Sequence, residues 1–107
     1  GIVLPSSLQS LHLQACGDIS SLIPSGLENL QSLVSLRLLD CRHKISIPDH
    51  LWSSTLSSLE ELELRDCPEL VSVGGADAIS EIPNVWIKTC RKLKGIKQPV
   101  KRGSFLW

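Results

Sequence analysis

A nine-residue pattern, L-x-x-L-x-L-x-x-C, recurs along this chain at intervals of 25, 26 and 23 residues. Residues 8–16, 33–41 and 59–67 match it fully, and residues 82–90 match it with isoleucine and valine in place of the leucines. Self-similarity at a fixed period of this length is typical of proteins built from stacked copies of one supersecondary unit. A single copy cannot bury its apolar face alone, so the pattern predicts a stack of similar coils.

The centre of each pattern alternates apolar and polar residues, as in Leu11-His12-Leu13, which favours a strand with one face turned inward. Leucines spaced by three at residues 27–33 favour a short helix or 3₁₀ turn on the return path. We therefore predict an α/β leucine-rich repeat solenoid of about four repeats, with a parallel concave sheet and short helices or loops on the convex side. The repeats are expected over residues 1–96, with coils around 8–32, 33–58, 59–81 and 82–96.

Residues 97–107 carry no repeat signal and form a basic C-terminal tail. Its last residues, Phe105, Leu106 and Trp107, are expected either to fold over the last coil or to be disordered. The chain contains no methionine and begins within a repeat, so we expect it to be the C-terminal arc of a longer protein. No apolar run approaches the roughly 20 residues needed to cross a bilayer, and no membrane span is predicted.

The four cysteines, Cys16, Cys41, Cys67 and Cys90, all occupy the ninth position of the pattern. This position follows a strand and faces inward, so the thiols should form a buried column with the spacing of about 4.8 Å between neighbouring strands. None has the C-x-x-C spacing of a zinc site. We interpret them as reduced structural residues and predict a cytoplasmic protein, since disulfides are rare there and no N-x-S/T sequon is present.

The net charge is zero, but its distribution is uneven. Residues 1–81 hold four basic and eleven acidic residues, whereas residues 82–107 hold seven basic residues and no acidic one. A basic end attracts nucleic acids and anionic membranes. Aromatic residues are not interleaved with this charge, so nucleic acid is not favoured as a partner, and a solvated, interaction-prone end is predicted.

Catalytic and cofactor-binding patterns are absent from the sequence. It contains no G-x-x-x-x-G-K, G-x-S-x-G or H-E-x-x-H motif. The histidines His12, His43 and His50 fall in different parts of the coil, and Gly74-Gly75 is too short for a phosphate loop. We predict no enzymatic activity, no cofactor and no metal site.

In a solenoid the concave strand surface usually carries function, because it is broad and rigid. The outward positions form three columns across the predicted strands: His12, Arg37, Glu63 and Trp86; Gln14, Leu39, Arg65 and Lys88; Ala15, Asp40, Asp66 and Thr89. The candidate protein-binding residues among them are His12, Arg37, Leu39, Asp40, Glu63, Arg65, Trp86 and Lys88.

Trp86 stands out because an exposed tryptophan is enriched at binding hot spots. The alternative is that it packs under the tail or against a missing neighbour. Beside it in the same column, Arg37 and Glu63 should be lateral neighbours of opposite charge, a pair worth about 0.2–1 kcal/mol.

Asp40 and Asp66 should also be lateral neighbours, but of like charge. This pair is unfavourable unless a cation neutralises it. The expected cation is Arg42, Arg65 or one supplied by a partner.

Three segments resemble the C-terminal leucine-rich repeats of plant intracellular immune receptors, the nucleotide-binding leucine-rich repeat disease-resistance proteins. They are C-P-E-L at residues 67–70, C-R-K-L at residues 90–93, and I-P-x-x-L-x-x-L-x-x-L at residues 23–33. The resemblance covers residues 4–96. It implies repeats that restrain an upstream nucleotide-binding domain and help to recognise pathogen effectors, so the implied partner is either of these proteins. No nucleotide-binding domain is present in this chain, so no ATPase activity is assigned to it.

Two other classes share part of the pattern. Cysteine-containing repeats also resemble the substrate-recognition arc of F-box ubiquitin-ligase subunits, which usually have a second cysteine where this chain has Gln31 and Ser57, and which lack the I-P step. An extracellular receptor ectodomain would favour N-x-L-x-G-x-I-P with asparagine in the ladder. We predict a non-catalytic protein-interaction module of a plant immune receptor, with the F-box arc as the alternative.

Overall fold

The computed structural model describes residues 4–15, 18, 22–23 and 25–103. Within them lie seven strands and three short helical turns. The strands are β1 (Ser10–Gln14), β2 (Ser35–Leu39), β3 (Ile45–Ser46), β4 (Glu61–Arg65), β5 (Leu70–Ser72), β6 (Asn84–Lys88) and β7 (Val100–Arg102). The helical turns are 3₁₀ turns at Ser25–Asn29 and Ala76–Ile79 and a π-helical turn at Leu51–Thr55.

Each copy of the nine-residue pattern supplies one strand of a five-stranded sheet with the order β1-β2-β4-β6-β7. The first four strands are parallel, and β7 runs antiparallel to β6. Equivalent positions of the pattern lie opposite one another, so that Leu11, Leu36, Leu62 and Val85 form one row. Strands β3 and β5 form a separate two-stranded parallel sheet on the return path.

The apolar core lies between the main sheet and the return segments. The inward leucines of β2 and β4 are fully buried, at 0% exposure, and they pack with return-path leucines such as Leu30 and Leu56. Burying one such side chain contributes about 1.5–3 kcal/mol. The equivalent residues of β1, Leu11 and Leu13, are only partly buried, because β1 is the edge strand of the sheet.

Cys41, Cys67 and Cys90 are buried, as the sequence predicted, whereas Cys16 lies outside the described residues. Each thiol points at a carbonyl oxygen of the preceding strand. The distances are 3.7 Å from Cys41 to Leu13, 3.4 Å from Cys67 to Leu38 and 3.5 Å from Cys90 to Leu64. These S–H groups therefore donate to carbonyls near the carboxyl end of the neighbouring strand.

The pKa of the central thiol reflects this stacking. Hydrogen bonding with Cys41 lowers the pKa of Cys67, but hydrogen bonding with Cys90 and burial outweigh it and raise the pKa to about 11. Cys67 is therefore protonated at neutral pH.

A left-handed residue ends each of the four parallel strands. Ala15, Asp40, Asp66 and Thr89 have φ values of 51°, 53°, 53° and 59°. Aspartate tolerates this conformation because its short polar side chain can bond locally, whereas threonine is less suited to it. After Asp40, Asp66 and Thr89 this backbone turn redirects the chain so that Cys41, Cys67 and Cys90 face the core.

The return segments agree in part with the sequence-based expectations. The helix or 3₁₀ turn predicted from the leucines at residues 27–33 is a 3₁₀ turn at Ser25–Asn29. The short, glycine-rich residues 74–81 favour a loop or a single turn, and they contain one 3₁₀ turn. Pro48 and Asp49 suit the first turn of a helix, so the sequence predicts a helix that opens at Pro48, but the regular turn begins only at Leu51. Its neighbour Trp52 is buried and donates its indole N–H to the Val73 carbonyl at 2.8 Å, which anchors this segment to the next coil.

The tail is attached to the last coil by polar contacts. Gln98 accepts a hydrogen bond from the Cys90 N–H at 2.8 Å and donates one to the Cys90 carbonyl at 2.7 Å. Arg102 donates to the carbonyls of Ile79 and Ile82 at 2.7 and 2.8 Å. With β7 paired to β6, the tail covers the β6 edge. Phe105, Leu106 and Trp107, expected to cover the coil or to be disordered, lie outside the described residues.

Candidate functional site

We define the outer face as the side of β1, β2, β4 and β6 that points away from the core. Strand register aligns His12, Arg37, Glu63 and Trp86 in one column and Gln14, Leu39, Arg65 and Lys88 in the next. Both columns follow the order predicted from the sequence. Asp40, the remaining candidate, lies just beyond β2 at the edge of this face.

Glu63 differs from expectation, because it is not accessible. It was predicted to point outward as a candidate binding residue, and it does lie in the outward column, but it is only 2% exposed. Its carboxylate forms ion pairs with the guanidinium groups of Arg37, at 3.7 Å, and Arg65. An unpaired buried carboxylate would be strongly unfavourable, so the two arginines are what allow Glu63 to be buried here.

The predicted Arg37–Glu63 pair is thus part of a larger ion cluster that the sequence reading missed. Arg37 also contacts Glu61 at 3.2 Å, and both side chains of this second pair are more than a third exposed. Glu61 and Glu63 lie on the same side of β4 because side chains alternate along a strand. The sequence signal that could have identified Glu61 is the Glu61-x-Glu63 pattern, which the repeat aligns with Ser35-x-Arg37 on the neighbouring strand.

Trp86 lies between two cations. The Arg65 guanidinium is 4.7 Å from the ring centroid, and the Lys101 ammonium is 5.1 Å from it. Lys101 is the register partner of Trp86 on β7, so the tail does lie beside the tryptophan, as one of the two interpretations expected. The indole remains partly exposed. The sequence did not predict that Lys101 lies beside Trp86, because the tail carries no repeat pattern that would align it with β6.

An open groove of 580 Å³ runs along the ends of the parallel strands. It is bordered by Leu39, Asp40, Arg42, Arg65, Asp66, Pro68, Thr89, Arg91 and Gln14. Arg42 pairs with Asp40 at 3.0 Å, which provides the cation expected to relieve the Asp40–Asp66 repulsion. A second groove of 420 Å³ continues past Lys88 and Arg91 to Gln98 and Pro99.

No group of three or more His, Cys, Asp or Glu side chains in residues 4–15, 18, 22–23 and 25–103 is arranged to hold a metal ion. None of the helical turns in that part of the chain has the length and apolar character needed to cross a membrane.

Comparison with known proteins gives one partial similarity. The chain is 37% identical over 67 residues to Disease resistance protein RPP4 of Arabidopsis thaliana. The match covers 63% of this chain but only 6% of the length of that protein. No protein-family profile and no solved structure matches the chain. Part of the chain is therefore similar to part of a plant disease resistance protein.

Proposed function

We propose that this chain is an arc of a leucine-rich repeat solenoid that acts as a non-catalytic protein-interaction module in a plant immune receptor. Its role is effector recognition, autoinhibitory contact with the receptor's own nucleotide-binding domain, or both. The partial similarity to a disease resistance protein supports this assignment and favours it over the F-box arc. The reduced state proposed for the buried thiols is consistent with a cytoplasmic location.

The observation that carries the proposal is the ordered polar surface of the outer face. Adjacent parallel strands hold its side chains in register, and Glu63 holds Arg37 and Arg65 in position. Side chains that are already ordered lose less conformational entropy when a partner binds. Trp86 adds an aromatic residue of the kind that dominates binding energy at protein interfaces.

The proposed function can be tested by affinity capture from an extract of pathogen-infected plant tissue with the 107-residue chain as bait. The Trp86→Ala, His12→Glu double variant removes the aromatic residue and adds an acidic side chain at an exposed position of the outer face, without breaking the Arg37–Glu63–Arg65 ion pairs. Asp77→Lys, on an exposed return turn, is the control. Circular dichroism first establishes that each protein is folded.

We expect a partner that the wild-type chain and Asp77→Lys retain and that the double variant loses. Mass spectrometry then identifies it as an effector or a nucleotide-binding domain. Equal capture by all three proteins would contradict a role for the outer face.

A further inference from the structure

Cations gather at one end of the outer face. Register places Arg65 of β4 beside Lys88 of β6, and Lys101 of β7 beside Trp86. Arg91 follows β6 and borders the same groove as Lys88. We call the surface formed by Arg65, Trp86, Lys88, Arg91 and Lys101 the basic platform.

Glu63, the register partner of Trp86 on β4, is acidic, but its carboxylate is not accessible to a partner. The Glu63 carboxylate is 3% exposed and is shared between Arg37 and Arg65. Asp66 is exposed at the end of β4, where it borders the groove. Three exposed cations, Lys88, Arg91 and Lys101, therefore outnumber the accessible acids at this end.

We propose that the basic platform binds an extended acidic segment of a partner protein. This inference rests on the proposed function and specifies the chemistry of the partner. Charge-assisted hydrogen bonds from lysine and arginine to carboxylates are about twice as strong as neutral ones. Every second side chain of an extended segment faces the same way, so its acidic residues can reach Lys101, Lys88 and Arg91 in turn.

The geometry of Trp86 argues for a protein rather than a single-stranded nucleic acid. Strands β4 and β7 flank β6, and each supplies one cation over the indole ring, Arg65 at 4.7 Å and Lys101 at 5.1 Å from its centroid. Proteins that bind single-stranded nucleic acids do so largely by stacking the bases on exposed faces of aromatic side chains. On this platform two cations lie over the indole ring and compete with a base for its faces, whereas they favour the carboxylates of an acidic segment.

The test is fluorescence anisotropy with the 107-residue chain and three labelled probes. The first is a peptide that alternates glutamate and serine around one central leucine. The second replaces every glutamate with glutamine, and the third is an oligothymidine of the same net charge as the first. Binding is measured for the wild type, Lys88→Glu and Lys101→Glu. Lys94→Glu, an equal charge change at an exposed residue outside the outer face, is the control.

We expect the glutamate peptide to bind about tenfold more tightly than the glutamine peptide and to weaken as salt is added. Lys88→Glu and Lys101→Glu should each weaken binding of the glutamate peptide by about tenfold, while Lys94→Glu changes it by less than about twofold. Lys88→Glu is decisive if Lys101→Glu disturbs the pairing of β7. Circular dichroism checks that every variant remains folded.

Equal affinity for the two peptides would overturn the proposal, as would equal weakening by Lys94→Glu. Tighter binding of oligothymidine than of the glutamate peptide would overturn it in favour of nucleic acid.

A His12→Glu variant separates this inference from the proposed function, because His12 is exposed on β1 and β2 lies between it and the basic platform. Loss of the captured partner with His12→Glu but not with Lys88→Glu would leave the proposed function standing and remove the platform. Retention of the partner by both variants would contradict both proposals.

Discussion

Replacing Glu63 with glutamine is the most informative perturbation of the outer face. Glutamine keeps the volume of the side chain but removes the charge that Arg37 and Arg65 share. It also directs an amide NH₂ group toward two guanidinium groups that can only donate hydrogen bonds. The substitution therefore leaves two cations facing each other across a buried neutral side chain.

The expected cost follows from the geometry of these two pairs. Hydrogen bonds to charged groups contribute about 1.5–3 kcal/mol, and breaking a fully buried ion pair costs about 3–5 kcal/mol. Glu63 is buried, but both arginine side chains are 35% exposed, and the Arg37 contact is long at 3.7 Å. Water can therefore solvate the released guanidinium groups in part. We expect Glu63→Gln to lower the free energy of unfolding by about 2 kcal/mol.

Urea denaturation followed by circular dichroism measures this loss. If the slope of the unfolding free energy against urea concentration is the same for variant and wild type, the two unfolded states expose similar surface and the free energies can be compared. Glu60→Gln is the matched control, because Glu60 is exposed and precedes β4 by one position. It should change stability by less than about 0.5 kcal/mol. A loss for Glu63→Gln no larger than that of Glu60→Gln would refute the account of a buried shared carboxylate.

A triple variant with Arg37→Met, Glu63→Leu and Arg65→Met extends the same reasoning. Replacing a whole buried ion cluster by apolar residues of similar size is often neutral or stabilising. The triple variant should therefore recover most of the stability lost by Glu63→Gln, in the same urea assay. A further loss of stability would show that the cluster holds the sheet together beyond its charge pairing.

Three further predictions concern the strand ends and the tail. Asp66→Gly should keep stability within about 0.5 kcal/mol, whereas Asp66→Val should lower it by about 1–2 kcal/mol in urea, because φ is 53° there and a β-branched residue disfavours that conformation. Arg102→Ala should lower the free energy of unfolding by about 1–2 kcal/mol, because the carbonyls of Ile79 and Ile82 lose their charged hydrogen-bond donor. The variant should also be cleaved faster by proteases near residues 97–103, and an unchanged cleavage rate would contradict the docking of the tail. The pKa of Cys67 is raised from 9.0 to about 11 in the folded chain, so its contribution to stability is complete below pH 9 and is lost as pH rises from 9 to 11. Urea titrations across that range should show the loss in the wild type and a smaller one in Cys67→Ala.

Much of the candidate site could be predicted from the sequence, because the repeat itself encodes it. The spacing between copies of the pattern places Arg37, Glu63 and Trp86 in one column before any coordinates are considered. The sequence reading failed where the outcome depends on how far a side chain reaches. Outward position predicts that Glu63 is exposed, but two long arginine side chains converge on it and exclude water.

The tail shows the other limit of sequence reasoning. Lys101 and Arg102 lie in a segment without any repeat signal, and their roles depend on β7 returning antiparallel along β6. Gln98 likewise bonds to the backbone of Cys90 in a way that no local pattern indicates. These contacts join residues of unlike segments, so there is no second copy in the sequence from which to predict them.

By itself the sequence determined the positions of the four parallel strands, their lateral order and the residues that face the core. The physical reason is that apolar alternation and a nearly constant period are local properties, repeated in every copy. Only the tertiary structure decided which outward residues are accessible, what flanks Trp86 and how the last strand is covered. Those properties arise from side chains and backbone groups that meet across strands, where burial and charge pairing depend on every neighbour at once.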